Sequence, residues 1–131
     1  MEHEPSSPAH HPLFDLSGRV ALVSGAARGI GKNMALGFTE VGADLMLADL
    51  NEEGAQQTAA DIETLGRRAI PVRCDVSDPV QIRSMFERLD SDFGRIDVLA
   101  NVACGTVSLR PPADLAVEEV SQMIQSLWVG R

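Results

Sequence analysis

Two rhythms of apolar and polar residues alternate along the chain. Short apolar runs read as buried strands: Val20 to Val23 after Arg19, Asp44 to Asp49 around Leu45-Met-Leu-Ala48, Ala69 to Cys74, and Ile96 to Ala100 reaching Asn101. Between them apolar residues recur at helical spacing. The first such stretch carries Ile30, Met34, Ala35, Phe38 and Val41, the second Ala55, Ala59, Ile62 and Leu65, the third Ile82, Met85, Phe86 and Leu89. Gly42, Gly66 and Gly94 stand where these helices should stop. Asn51 and Asp78 are placed to cap the second and third helices, with Pro79 in a first turn that needs no N–H from it. After a loop from Gly105 to Pro112, a last helical pattern runs from Leu115 to Trp128 through Val117, Val120, Met123, Ile124 and Leu127. Strand and helix in alternation predict an α/β fold, a Rossmann-like, doubly wound parallel sheet with right-handed crossovers. The sheet is expected to be truncated after the fourth strand and the helix that follows it.

Residues 1–12 depart from both rhythms. They hold Pro5, Pro8, Pro12 and three histidines, and are expected to form a disordered leader before one domain spanning 13–131. His3, His10 and His11 match no recognised metal spacing, and no metal site is expected. No apolar run reaches membrane-spanning length, and the acidic, polar start is unlike a signal peptide, so a cytoplasmic protein without a membrane partner is expected. Net charge of −8 argues against nucleic acid as a partner. Cys74 and Cys104 are read as two free thiols, with Cys104 inert because no His or Lys adjoins it. The chain contains no tyrosine and one lysine, Lys32, which excludes tyrosine acid–base chemistry within these residues.

The chemistry concentrates where the first strand meets the first helix. Ser24-Gly-Ala-Ala-Arg-Gly-Ile-Gly31 places glycines at 25, 29 and 31. A strand, a glycine-rich turn and a helix open a nucleotide-binding unit, because helix-start amides and the helix dipole attract phosphate. A plain flexible turn remains the alternative. The spacing is neither G-x-G-x-x-G nor a P-loop, since Asn33 stands where a P-loop needs Ser or Thr.

In a doubly wound sheet ligands lie at the carboxyl ends of the strands. Four polar or small strand ends are available: Ser24-Gly25, Asp49, Asp75-Val76 and Asn101-Val102-Ala103. Asp49 lies 18 residues after Gly31, where a carboxylate accepts hydrogen bonds from an adenosine ribose, or alternatively caps the next helix. Its charge opposes a 2′-phosphate and Leu50 supplies no cation, so NAD is expected over NADP. Arg28 counters this, because a guanidinium in the loop could reach a phosphate. Asp75 could accept from an adenine amino group with Val76 packed beside the ring, or could merely form a turn. Asn101 could face a ribose among small residues, or simply end a strand.

These segments together resemble the classical short-chain dehydrogenase/reductase family over about Leu16 to Gly130. Ser24 to Gly31 is similar to that family's T-G-x-x-x-G-x-G cofactor loop, Asp75-Val76 to its adenine-binding pair, and Asn101 to Ala103 to its N-N-A-G strand end. Val102 replaces the second Asn, and Cys104 replaces the Gly, with Gly105 one place later. The resemblance implies hydride transfer between a nicotinamide cofactor and an alcohol or carbonyl compound. It assigns Gly25, Gly29, Ile30, Gly31, Asp49, Asp75, Val76 and Asn101 to the cofactor. It implies no catalytic residue here: the supporting Asn of the last helix has no counterpart at Leu127 or Trp128, and the family's Ser and Tyr-x-x-x-Lys lie further along than this chain runs. The chain is therefore expected to be the cofactor-binding half of an oxidoreductase, inactive alone. A non-catalytic NAD- or partner-binding protein and a methyltransferase-like domain are the alternatives. The fourth strand, left as an edge, and the last helix are expected to drive self-association.

Overall fold

The computed structural model describes residues 12–105 and 110–124. A 3-10 turn, Pro12–Phe14, precedes β1 (Val20–Ser24), α1 (Gly29–Glu40), β2 (Asp44–Asp49), α2 (Glu52–Thr64), β3 (Ala69–Arg73), α3 (Pro79–Phe93) and β4 (Val98–Asn101). A second 3-10 turn, Pro112–Asp114, leads to α4 (Val117–Ile124). The leader expected over residues 1–12 lies outside the described residues except for Pro12, which begins the first turn.

The strands form one parallel sheet in the order β3-β2-β1-β4. Alternate side chains of the central strands feed two cores. Ala21, Val23, Leu45 and Leu47 pack with Ala35, Ala59 and Ile62 of α1 and α2 on one face. Leu22, Met46 and Ala48 pack with Met85 and Leu89 of α3 on the other. The period of two along β1 and β2 is thus what makes the sheet doubly wound.

The caps follow from local chemistry. The Asn51 side chain accepts the Gly54 N–H, and the Asp78 carboxylate accepts the Val80 N–H. Gly94 ends α3 at φ 67°, a left-handed conformation that favours glycine.

Several expected positions move. The buried face of α1 is Gly31, Ala35 and Thr39, while Ile30 (73% exposed) and Met34 turn outward. Only residues without bulk fit where α1 starts against the loop. Leu65 lies beyond the last turn of α2 and is exposed, and Phe86 is partly uncovered on α3. The third strand ends one residue early, leaving Cys74 just past it. The fourth starts at Val98 rather than Ile96, because the Asp97 side chain, not a backbone carbonyl, accepts the Val20 N–H at 2.9 Å. Arg95 and Arg19 hold that carboxylate at 2.6 and 3.0 Å. The last helix, expected over Leu115 to Trp128, is described as Val117–Ile124 and buries no residue there; the rest of the expected span lies outside the described residues.

Candidate functional site

The carboxyl ends of β1, β2, β3 and β4 surround a cleft of about 740 Å³. Of the expected residues, Gly25, Arg28, Gly29, Ile30, Gly31, Asp49, Leu50, Asp75, Val76, Val102 and Ala103 line it. Ser24 and Asn101 do not. They border a smaller cavity of about 180 Å³ on the α3 side of the sheet, beside Phe86 and Leu99, with Val76 lining both. Ser24 instead has a structural role. Its hydroxyl oxygen accepts the Val102 and Ala103 N–H groups at 3.1 and 3.2 Å, binding the end of β4 to β1.

The glycine turn is packed tightly from beneath. A Cβ on Gly31 would lie 1.9 Å from the Gly25 carbonyl oxygen, and one on Gly25 would lie 2.7 Å from the Ala103 nitrogen. Gly25 and Ala26 donate to the Ala48 carbonyl at 2.8 and 3.3 Å. Gly29 differs, since a Cβ there would meet open space. The N–H groups of Arg28, Gly29, Ile30 and Gly31 find no acceptor among the described residues, as expected for the first turn of a helix. Four unpaired donors at a helix start, bordering a cleft, make an anion cradle.

Asp49 does not cap α2; Asn51 does. One Asp49 oxygen accepts the Ala27 N–H and the other accepts the Asn51 N–H, each at 2.9 Å. The carboxylate thereby ties the glycine turn to the end of β2, and each oxygen keeps a lone pair for a further donor. Asp75 is both turn-former and cleft wall. It accepts the Ser77 N–H at 2.9 Å and the Ser77 hydroxyl at 2.6 Å through one oxygen. Those bonds hold its carboxyl below the usual carboxylate range, so it is ionised at neutral pH. Its other oxygen accepts nothing among the described residues. Among the described residues Arg28 is the one cation lining the cleft, and no ion pair of its side chain is found with them. Lys32 is spent elsewhere, on Asp61 at 2.7 Å between α1 and α2.

Several contributors were missed from the sequence. Thr58, fully buried on α2, bonds the Ala26 carbonyl at 3.0 Å. Its place between Ala55, Ala59 and Ile62 on the apolar face was the available signal. Gln81 accepts the Asp75 N–H at 2.9 Å and donates to Asp78, fixing the turn after β3. Ser77 was readable as the third residue of an Asp-x-Ser turn. Cys74, Cys104 and Gly105 also line the cleft. Both thiols are free; burial pushes the Cys74 thiol up, with the charges of Asp75 and Asp78 adding to it, while Cys104 is exposed.

A parallel doubly wound sheet with an anion cradle after its first strand defines a dinucleotide-binding type of architecture. Residues 19–130 match the family model of the short chain dehydrogenases, and the chain belongs to that family. It is 38% identical over 106 residues to a D-threitol dehydrogenase of Mycolicibacterium smegmatis, covering 81% of this chain and 40% of that protein. It is 43% identical over 129 residues to a 2-dehydro-3-deoxy-D-gluconate 5-dehydrogenase of Pseudoalteromonas atlantica, covering 90% of this chain and 50% of the other. The crystal structure of a short-chain type dehydrogenase/reductase from Mycobacterium marinum superposes with a TM-score of 0.80 at 37% identity, covering 87% of this chain and 44% of that one. The chain thus spans about half the length of the curated relatives it matches. Among the described residues no helix is long and apolar enough to cross a membrane.

Proposed function

We propose that this chain is the cofactor-binding half of a short-chain oxidoreductase that prefers NAD(H) and transfers hydride to or from an alcohol or carbonyl compound. The carrying observation is that Arg28 to Gly31, whose amides are unpaired among the described residues, line the same cleft as Asp49. The amides would hold the pyrophosphate. Asp49 would accept from the adenosine ribose, and Leu50 and Val76 would pack beside the adenine with the free Asp75 oxygen at its edge. Val102 and Ala103 would border the nicotinamide side. The cofactor supplies the hydride chemistry. None of the 131 residues is a tyrosine, so the proposed role of this chain is to bind and orient, without turnover by itself.

A titration of the 131-residue chain followed by NADH fluorescence tests the reading. NADH should bind more tightly than NADPH, and Asp49→Asn should narrow the gap by removing charge while keeping an acceptor for Ala27. Absence of NADH binding, or tighter NADPH binding, overturns it.

We also propose self-association through β4 and α4. β4 pairs only with β1 among the described residues, and its Leu99 is 50% exposed. Unpaired strand groups beside apolar side chains template a further strand. Light scattering should give a mass above that of one chain, and Leu99→Lys should lower it; a monomeric unmodified chain contradicts this.

A further inference from the structure

We propose that Thr58 is a positioning residue of the glycine turn: its hydroxyl pins one peptide plane and so aims the free amides of Arg28 to Gly31. The proposal rests on the reading of the cleft as a dinucleotide site. A threonine inside a helix ordinarily returns its hydroxyl to the carbonyl four residues back. Thr58 has that option, with the Gly54 oxygen at 3.1 Å, but the Ala26 oxygen is at 3.0 Å. The Gly54 carbonyl already takes an N–H within α2 as a helical residue. The Ala26 residue is wholly buried, and its carbonyl has no other donor among the described residues. A buried carbonyl without a partner is costly, so the hydroxyl matters most to Ala26.

The Ala26 carbonyl and the Ala27 N–H belong to one planar peptide and point in opposite directions. Thr58 holds the carbonyl end, and Asp49 holds the N–H end at 2.9 Å. The plane is therefore clamped from α2 on one side and from β2 on the other. The next peptides in sequence carry the unpaired amides. Tilting the clamped plane would swing those donors away from a common point. α2 reaches the turn because residue 54 is glycine: a Cβ there would lie 2.8 Å from the Ala27 Cβ. The Asp49 carboxylate is also anchored by the Asn51 N–H at 2.9 Å, so its place does not depend on Thr58.

The test compares Thr58→Val, which keeps the shape and removes the hydroxyl, with Thr58→Ser, which keeps the hydroxyl. Two ligands are used: ADP-ribose, which carries the pyrophosphate, and adenosine, which does not. One lost hydrogen bond of this kind should weaken ADP-ribose binding about three- to tenfold in the valine variant. The serine variant should recover most of that, and adenosine binding should be unchanged in both. Thr58→Ala, which makes no steric demand, is read in the same way should the valine variant not fold. Equal loss for both ligands, no loss for ADP-ribose, or a serine variant no better than valine overturns the proposal. Hydrogen exchange at the Ala27 amide of the free protein, corrected for global stability, gives a readout independent of any ligand. It should accelerate in the valine variant and not in the serine variant; unchanged exchange refutes the clamp. An unmodified chain that fails to bind ADP-ribose while the exchange result holds would instead overturn the dinucleotide reading.

Discussion

The centre of the sheet and its β4 edge are built from similar sequence patterns and have opposite fates. At the β1–β2 centre, α1 and α2 bury Ala35, Ala55, Ala59 and Ile62 completely or nearly so, and the glycine turn is held by Ala48, Asp49 and Thr58. At the β4 edge, only Ala100 of the strand is buried, and α4 carries an apolar stripe of Val117, Val120 and Ile124 of which none is buried. An amphipathic pattern specifies that a helix forms. Whether its apolar face contributes stability depends on a partner surface being there. The glycine turn belongs to the centre, where the surfaces are present, and the ends of β3 and β4 complete the cleft around it.

The sharpest way to break this contrast is to disturb the packed centre at its tightest point. Gly31→Ala should prevent the native turn from forming, because its Cβ would overlap the Gly25 carbonyl at 1.9 Å. A loss above about 4 kcal/mol is expected, within the range reserved for core overlap and strain. Gly29→Ala, whose Cβ meets open space, should cost far less despite its φ of 57°. Comparable urea midpoints for the two variants would show that the turn is not packed as described.

A matched pair of truncations sharpens the comparison. In chain diluted until light scattering gives the mass of one chain, Ile62→Ala on α2 should cost about 2–5 kcal/mol, and Ile124→Ala on α4 about 0.5 kcal/mol or less. The side chains are chemically identical, with Ile62 fully buried and Ile124 53% exposed. Equal losses in denaturant unfolding of the dilute single chain would mean that Ile124 is packed within the chain itself.

Much of this was legible beforehand, for physical reasons that differ by residue. Strand β2 falls on Asp44–Asp49 as expected, because an apolar run buried on both faces leaves little freedom at its ends. The caps Asn51 and Asp78 were readable because each acts within its own turn. Gly25, Asp49 and Asp75 line one cleft because the parallel topology gathers strand ends from distant sequence. The failures are tertiary. Ile30 and Met34 look core-facing by spacing, yet the close approach of Gly31 to Gly25 rotates that face away. Ser24 and Asn101 end strands beside the cleft, and which of two neighbouring cavities their side chains border is set by the packing of α3. Thr58 acts across 32 residues of sequence, and no local pattern states which carbonyl its hydroxyl will meet.

A smaller effect probes the junction between the centre and the β4 edge. Arg95 foremost, then the Val20 N–H and Arg19, hold the Asp97 carboxyl well below its ordinary value of 3.8. A carboxyl depressed on folding stabilises the fold above its unfolded value, and that stabilisation fades as pH falls through the unfolded value toward the lower folded one. Asp97→Asn should therefore lower Tm at pH 7, and the difference from the unmodified chain should shrink below pH 3.8. A difference that is constant across this range would place the effect of Asp97 in its shape rather than its charge.

The central claim concerns the four unpaired donors at the start of α1. Amide NMR spectra of the 131-residue chain, recorded with and without NAD, test it most directly. The Arg28, Gly29, Ile30 and Gly31 amides should shift most and become protected from exchange, while those of β3 and α3 away from the Asp75 turn stay unchanged. Saturable NAD binding that leaves these four amides where they were would contradict it.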